Sequence, residues 1–326
     1  MNLLAWLAYI ERQHARPIEL GLDRVRRVST ALGQRKTCPV ILVGGTNGKG
    51  STCAMLERIL LCAGYRVGLY TSPHLIRYNE RVRIDGRPVD DEALCEGFAR
   101  VEHARVSHGG TPPVALTYFE YGTLCAWEVF AGQPLDAIVL EVGLGGRLDA
   151  TNLYEPDVAI VTGVDLDHVE YLGPTREEIG FEKAGIFRSG RPAIYGDAEP
   201  PASLLDHARA IGADLQVLGR DFGHARQELQ WQYWGRGDRR GGLAFPALRG
   251  PRQLDNAAGV LAALDALRAS LPVAMQDIRR GLLEVELAGR FQVLPGRPTV
   301  VLDVAHNPQA ARVLAANLGD MAFHPA

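Results

Sequence analysis

The sequence lacks the features that mark membrane-spanning proteins and proteins that bind nucleic acid through charge. No apolar stretch among its 326 residues approaches the about 20 residues that a helix needs to cross a bilayer. Its 35 lysines and arginines are outnumbered by 38 aspartates and glutamates, which gives a net charge of −3. Because a weakly acidic chain is not built to coat a polyanion, we expect neither a membrane nor a nucleic acid as partner.

Cysteine is also scarce. Five cysteines are scattered along the chain, an odd number with no Cys-X-X-Cys pair. This pattern argues against a disulfide framework and a zinc site, and favours reduced thiols in a cytoplasmic protein. The N-terminus likewise has neither the basic opening nor the small-residue cleavage site of a signal peptide. Its residues Leu3, Leu4, Leu7 and Ile10 recur at helical spacing and predict an amphipathic helix instead.

Apolar runs alternate with amphipathic segments, which is the pattern of an α/β fold. The chain is 47% hydrophobic and 22% charged, so it has ample material for a core. Continuous apolar runs such as 135–142 predict strands that are buried on both faces of a parallel sheet. The predicted strands span 39–43, 66–70, 135–142, 158–164 and 192–195. The predicted helices span 51–63, 90–106, 118–130, 254–269 and 277–287. We therefore predict a P-loop-type, mostly parallel sheet flanked by helices.

Two later segments depart from this pattern. Residues 219–250 set Trp231 and Trp234 among glycines and arginines with weak alternation, and predict a small β-rich flap. Residues 298–302 predict a strand that ends at Asp303, with a helix from about Pro308. A new strand–turn–helix this late predicts the start of a second α/β domain.

The strongest single signal is the glycine-rich turn that follows the first predicted strand. Backbone N–H groups at the start of a helix can converge on phosphate oxygens, where the helix dipole favours an anion. The residues that supply them here are Thr46, Asn47, Gly48, Lys49, Gly50 and Ser51. Lys49 adds a cation for the β- and γ-phosphates, and Ser51 or Thr52 adds a hydroxyl. A plain strand–helix turn is the alternative, but Gly-Thr-Asn-Gly-Lys-Gly-Ser is more specific than a turn requires.

Potential metal ligands follow three other predicted strands. Ser72 follows the second strand, Glu141 ends the apolar run 135–142, and His168 follows Asp-Leu-Asp. Taken singly, Glu141 could be a salt-bridge partner and His168 a helix cap. A magnesium ion beside a triphosphate needs only one or two protein ligands, and strand ends beside a phosphate loop are where such ligands are expected.

Lys183, in Glu-Lys-Ala-Gly-Ile, has two interpretations. By default it is a surface lysine on a helix. If it is partly buried with a lowered pKa, it could instead react with CO₂. The resulting carbamate would offer an anionic oxygen to a second metal ion.

Seven motifs together resemble one family. They run in family order over 43–51, 71–75 with 78–83, 116–123, 140–152, 167–173, 182–188 and 303–308. The first is Val-Gly-Gly-Thr-Asn-Gly-Lys-Gly-Ser and the last is Asp-Val-Ala-His-Asn-Pro. The chain resembles the Mur-ligase superfamily and, within it, the bifunctional dihydrofolate synthase/folylpolyglutamate synthases. The resemblance implies a Mur-ligase central domain followed by a Rossmann-like C-terminal domain.

The resemblance also implies roles for individual residues. The implied ATP-binding residues are the loop 46–51 with Lys49, then Asn256, which would contact the nucleotide base, and Arg290 and Asp303. The implied ligands of two Mg²⁺ ions are Ser72, Glu141, His168 and a carbamylated Lys183. The implied catalytic residues are Lys49, Lys183 and His306. The implied pterin pocket is formed by Ser72, Pro73, Arg81, Thr117, Phe119 and Glu120. Phe119 has a second interpretation as a core aromatic.

The activity implied by the resemblance is ATP-dependent amide formation. L-Glutamate would be joined through an acyl phosphate to dihydropteroate, and to the terminal glutamate of folates. The partners would thus be small molecules: dihydropteroate, tetrahydrofolate or its polyglutamates, and L-glutamate. Another Mur-type ligase acting on cell-wall precursors is an alternative, although Lys-Gly-Ser and Thr-Ser-Pro-His favour the folate branch.

The resemblance divides the chain into an ATP-binding domain over 1–289, which includes the flap, and the start of a glutamate-ligase domain over 290–326. Because the family's C-terminal domain is larger, we expect a truncated domain here. Its apolar residues Val300, Val301, Leu302 and Val304 would then stay exposed. We expect a monomer unless a partner supplies the missing part. A truncated remnant that binds nucleotide or pterin without catalysis is the remaining alternative.

Overall fold

A computed structural model describes residues 1–107, 112–236, 239–250, 252–294 and 296–319. The main sheet contains the strands β1 (Val40–Gly44), β2 (Val67–Tyr70), β3 (Val82–Ile84), β4 (Arg87–Pro88), β5 (Ala137–Glu141), β6 (Val158–Val161), β7 (Pro192–Tyr195) and β8 (Asp214–Val217). Their order across the sheet is β4-β3-β2-β5-β1-β6-β7-β8. The run from β2 to β8 is parallel, whereas β3 and β4 are antiparallel additions at one edge.

Helices cover both faces of this sheet. They are α1 (Leu3–Ile10), α2 (Asp23–Leu32), α3 (Lys49–Cys62), α4 (Asp91–Ser107), α5 (Tyr118–Ala131), α6 (Val169–Leu172), α7 (Arg176–Ala184), α8 (Ala202–Ile211), α9 (Gln253–Ala266), α10 (Met275–Glu284) and α11 (Pro308–Gly319). A second sheet, β11-β10-β9, is made of β9 (Gly223–Arg226), β10 (Trp231–Trp234) and β11 (Arg239–Leu243). The strands β12 (Gln292–Leu294) and β13 (Val300–Leu302) pair with each other.

Alternation along the central strands creates two hydrophobic cores. In β1, Val40 and Leu42 face the core formed with α1, α2, α4 and α5. Ile41 and Val43 face the opposite core, which contains α3, α9 and α10. Trp231 of β10 is fully buried in this second core, so the second sheet packs onto the domain. Because β1 is buried on both faces, its apolar run is continuous rather than alternating.

The predicted fold class is confirmed, and the differences are local. The predicted strand 158–164 ends at Val161, because the backbone beyond it turns to bond the phosphate loop. The β3–β4 hairpin, β8, β12, α2, α6, α7 and α8 are not among the predicted elements. Within the described residues, no helix combines the length and apolar character needed to cross a bilayer.

The C-terminal segment begins with a turn in the left-handed region. Gly289 has φ 68° and Phe291 has φ 46°, and β12, β13 and α11 follow. Val300 is 43% exposed and Leu302 is 44% exposed, as expected for an uncovered strand, whereas Val301 is half-buried. Residues 320–326 lie outside the described residues.

Helix packing between α10 and α3 gives a test of the fold. A Cβ on Gly281 in α10 would lie 2.6 Å from the Ile59 Cα of α3, whereas a Cβ on Gly259 in α9 would meet nothing within 4 Å. We expect Gly281→Ala to destabilise the protein by about 1–3 kcal/mol, because backbone atoms must move apart. Gly259→Ala should stabilise it by about 0.5–1 kcal/mol through helix propensity. Urea-unfolding midpoints check both changes, and equal shifts of one sign would contradict the packing.

Candidate active site

The carboxyl ends of β1, β2, β5 and β6 open into one cavity of about 480 Å³. Because parallel strands all end at the same edge of a sheet, side chains that are far apart in sequence meet there. Each of the site residues predicted from the sequence lines this cavity: Thr46, Asn47, Gly48, Lys49, Gly50, Ser51, Ser72, Pro73, Arg81, Thr117, Phe119, Glu120, Glu141, His168, Lys183, Asn256, Arg290, Asp303 and His306. The structure therefore brings the predicted set together, while the role of each residue stays a prediction.

The phosphate loop is held by the end of β6. Thr162 Oγ1 donates to the carbonyl of Asn47 at 2.5 Å, and a Cβ on Gly45 would collide with that hydroxyl. Gly48, with φ 87°, is the N-cap of α3 and forms no side-chain hydrogen bond to the helix. The first N–H groups of α3 therefore have no capping side chain, and Gly48, Lys49, Gly50 and Ser51 line the cavity. One expectation is corrected: the Thr46 N–H donates to Gly163 O at 2.9 Å and is not free for a phosphate.

Lys49 folds back over this loop. Its ammonium donates to the carbonyls of Gly45 and Thr46, both at 3.0 Å. Asn256 lies close to the loop at Gly48, where an added Cβ would be 2.7 Å from Asn256 Oδ1. The structure thus places Asn256 beside the phosphate loop itself.

A buried carboxylate, Glu141, and a half-buried guanidinium, Arg290, lie next to the loop. Glu141 accepts the Ser72 N–H at 3.0 Å, and burial raises the pKa of Glu141 while the Lys49 charge opposes that shift. Burial lowers the pKa of Arg290, and Glu141 and Asp303 oppose this. Both side chains approach Gly50, whose missing Cβ would lie 3.5 Å from Arg290 Nη2 and 3.8 Å from Glu141 Oε1.

Lys183 projects from α7 into the same cavity and is only 4% exposed. None of the described residues gives its ammonium a hydrogen bond or an ion pair. Burial, helped by the charge of Lys49, lowers the pKa of Lys183 to about 7. An amine in this state is neutral for a large part of the time near neutral pH, which a surface lysine is not.

The predicted metal ligands partly converge. Ser72 and Glu141 are joined by a hydrogen bond, whereas His168 is exposed, with φ 48° at the start of α6. In the described part of the chain, no three His, Cys, Asp or Glu side chains form a metal cluster. The donors fit a hard cation that is shared with phosphate, because Glu141 is a buried carboxylate that a cation would stabilise and such an ion needs few protein ligands.

Another part of the cavity wall carries an aromatic and a basic side chain, Phe119 and Arg81. Arg81 lies 5.2 Å from the ring of Tyr78 and 5.5 Å from that of Tyr118, and its Nε donates to His74 Nδ1 at 2.8 Å. Phe119 is half-buried, faces the cavity and lies 5.9 Å from the ring of Tyr70. A flat apolar ring system with a polar edge fits such a wall.

The carboxylate of Glu120 has a structural task that sequence reasoning missed. It accepts the Thr117 N–H at 2.7 Å in a capping box at the start of α5. It also pairs with Arg24 at 2.9 Å, and Arg24 in turn bonds Glu19. This places the segment 17–20 on the cavity wall, although no motif in the sequence marks it.

The motif 303–308 contributes Asp303 and His306 to the cavity lining. The Asp303 carboxylate accepts two backbone N–H groups, from Phe291 and Ala305, both at 2.8 Å. His306 is exposed at the cavity rim, and its Nδ1 donates to its own chain at Val304 O, 2.8 Å away. The buried member of the motif is Asn307. Its position inside this motif is the sequence signal that could have identified it.

Comparisons with known proteins agree with this geometry. No family model matches the chain. The dihydrofolate synthase/folylpolyglutamate synthase of Escherichia coli is 47% identical over 317 residues, covering 97% of this chain and 72% of that protein. The protein of the same name from Bacillus subtilis is 34% identical, covering 91% of this chain and 72% of its own length.

Solved structures give the same result in three dimensions. The Escherichia coli protein in complex with DHPP and ADP has a TM-score of 0.93 and 46% identity, covering all of this chain and 76% of that one. A bifunctional folylpolyglutamate synthase/dihydrofolate synthase with Mn, AMPPNP and L-glutamate bound has a TM-score of 0.89 at 45% identity, covering 98% of this chain and 75% of that one. At this identity and coverage, the chain belongs to the dihydrofolate synthase/folylpolyglutamate synthase family of ATP-dependent glutamate ligases.

Proposed function

We propose that this protein joins L-glutamate to dihydropteroate and to the terminal glutamate of folates, using ATP. One observation carries the proposal: a phosphate loop and the side chains of Phe119 and Arg81 line a single cavity. Relatives with ADP, AMPPNP, DHPP, folate or L-glutamate bound support the same ligand classes. The names of the relatives favour folate substrates over cell-wall precursors.

The chemistry starts from an unreactive carboxylate. Transfer of the γ-phosphoryl group from ATP to a carboxylate oxygen forms an acyl phosphate and ADP. The α-amine of L-glutamate then attacks the acyl carbon, and the tetrahedral intermediate expels inorganic phosphate. The amine proton leaves to solvent and an amide remains. Phosphoryl transfer depends mainly on alignment and neutralisation of charge, and the site offers these rather than a nucleophile.

The residues then take the following roles. The N–H groups of Asn47, Gly48, Lys49, Gly50 and Ser51 bind phosphate oxygens, and the Lys49 ammonium leaves its carbonyl partners for the β- and γ-phosphates. Arg290, which lies beside Gly50, stabilises charge on the transferred group. Phe119 and Arg81 contact and orient the pterin from their part of the cavity wall. Exclusion of water protects the acyl phosphate, and His306 and Asp303 stand at the rim where closure would occur.

Divalent metal ions fit the donors present. Ser72, Glu141 and His168 would hold Mg²⁺, which neutralises phosphate charge when bound. Lys183, as a carbamate, would hold a second ion. The composition supports a special role for lysine, because the chain has only three lysines, Lys36, Lys49 and Lys183, and two of them line the cavity. Arginine could not serve as the nucleophile toward CO₂, because it stays protonated.

We also propose that the chain divides at residues 289 and 290. The left-handed turn at Gly289 and Phe291 and the separate pairing of β12 with β13 support this boundary. A cytoplasmic location and a monomeric state stay predictions from the sequence.

The function is tested by phosphate release that requires both dihydropteroate and L-glutamate. We expect Lys49→Ala to lower this rate by about 100- to 1,000-fold, because a preorganised charge on the phosphates is lost. The matched control is Lys36→Ala. Lys36 pairs with Asp157 away from the cavity, so this variant should keep the wild-type rate. Near-wild-type turnover in Lys49→Ala, with an unchanged melting temperature, would remove the phosphate-loop assignment. Binding of nucleotide and pterin without phosphate release would favour the non-catalytic alternative.

Carbamylation of Lys183 is tested by chemical rescue. Lys183→Ala should lose most activity, because it lacks the anionic oxygen for the second metal ion. Millimolar acetate or another short carboxylate should restore part of it. Lys36→Ala again serves as the control and should not respond to acetate. Full activity of Lys183→Ala without any additive would exclude the carbamate.

The carbamate should also depend on pH in a defined direction. Only the neutral amine attacks CO₂, forming an N–C bond and releasing one proton. Since the pKa of Lys183 is lowered to about 7, carbamylation should be favoured at pH 8 and lost as the pH falls below 7. With ¹³C-bicarbonate, wild type and Lys36→Ala should give one carbamate NMR signal at pH 8 that Lys183→Ala lacks. Absence of that signal from the wild type at pH 8 contradicts the assignment.

A further inference from the structure

Asn307 occupies an unusual position between the C-terminal segment and the phosphate loop. It precedes α11, and its side chain is only 9% exposed. Its Oδ1 accepts the Ala310 N–H at 2.9 Å, which makes it the N-cap of that helix. The remainder of its carboxamide turns toward the large domain.

There it forms a reciprocal pair with Asn47. Asn47 Nδ2 donates to Asn307 Oδ1 at 3.3 Å, and Asn307 Nδ2 donates to Asn47 Oδ1 at 3.2 Å. Asn307 Nδ2 also donates to Asp167 Oδ2 at 3.3 Å. The orientation of the amide is fixed chemically, because a carboxylate only accepts and the Ala310 N–H only donates. Turning the amide over would set oxygen against oxygen at Asp167.

These bonds join three parts of the site. Asn47 belongs to the phosphate loop, and Asp167 directly precedes His168. Asn307 lies 260 positions from Asn47 and 140 from Asp167 in sequence. Gln309, in the first turn of α11, accepts a further hydrogen bond from the Asn47 amide. The bonds can therefore form only when the segment 290–319 is docked against the phosphate loop.

We propose that Asn307 is a positioning residue that couples docking of the segment 290–319 to nucleotide binding, by fixing the side chains of Asn47 and Asp167. The inference rests on the proposed function, in which the loop binds the phosphates of ATP. An ordered loop favours nucleotide and docking alike, so each strengthens the other by the same factor.

A purely structural role as helix cap makes a different prediction. Serine at position 307 keeps an oxygen for the Ala310 N–H but cannot form the amide pair. Aspartate keeps the cap and accepts from Asn47, but it loses both donated bonds and adds a negative charge beside Asp167. If Asn307 were only a cap, both variants would retain normal nucleotide binding.

The test uses the full chain with Asn307→Ser and Asn307→Asp. The matched control is Asn2→Ser, because Asn2 caps α1 by accepting the Ala5 N–H at 2.9 Å with the same spacing of three residues. We expect Asn307→Ser to weaken Mg-ADP binding and raise the KM for ATP by about tenfold through lost hydrogen bonds. Asn307→Asp should weaken both further. The KM for dihydropteroate should not change, and melting temperatures should shift no more than in Asn2→Ser.

A double-mutant cycle with Asn47→Ala and Asn307→Ala isolates the pair. Its effects on Mg-ADP binding should be less than additive, because either change breaks the same bonds. Unchanged ADP affinity in Asn307→Ser, or strict additivity, overturns the proposal. If Asn307→Ser folds poorly, Asn47→Ala decides alone, since it leaves the cap of α11 intact, and unchanged affinity there also overturns the proposal. Wild type that releases no phosphate would instead overturn the proposed function, while ADP binding still decides the role of Asn307.

Discussion

The whole site depends on the pairing of β1 with β5 and β6 at the centre of the sheet. Burial on both faces fixes the register of β1, and its last residue, Gly44, then stands directly beside Val161. Beyond Gly44 the chain passes over the end of β6, where Thr162 and Gly163 form hydrogen bonds with backbone groups of the loop. Glu141 ends β5 on the other side. The apolar centre of the sheet thereby sets the spacing between the phosphate loop and the acidic side chain beside it.

Charge is the second organising feature. Lys49, Lys183 and Arg290 bring positive charge to one cavity, and burial disfavours the charged forms of Lys183 and Arg290. Each of these three cations is accommodated in a different way. Lys49 rests on two carbonyls, Arg290 has Glu141 and Asp303 nearby, and the pKa of Lys183 falls to about 7. Acidic side chains such as Glu141, Asp167 and Asp303 line the same cavity, which suits divalent cations shared between the protein and the phosphates of ATP.

The sequence predicts the parts of this site that depend on short-range patterns. The phosphate loop, the strand ends at Ser72 and Glu141, and the helix that begins near Tyr118 all follow from local periodicity and glycine placement. What it cannot predict depends on pairing across the chain. The segment 17–20 is held at the cavity by Arg24, which pairs with the nearby Glu19 and with Glu120, about 100 residues further along the chain. His306 has the more reactive side chain, so the motif predicts it as the functional residue. Burial, which depends on the folded chain, singles out its neighbour Asn307 instead.

Polar contacts help to position the segment after residue 290, in which Phe291 is buried but the strand β13 is largely uncovered. Val300 and Leu302 stay exposed, while Asn307 and Gln309 form hydrogen bonds with Asn47 of the phosphate loop. Hydrophobic burial is non-directional, so it would tolerate several orientations of this segment over the cavity. Hydrogen bonds between paired amides are directional, and they select one orientation. Directional contacts of this kind suit the proposed reaction, because the site must admit three substrates and still exclude water during acyl phosphate chemistry.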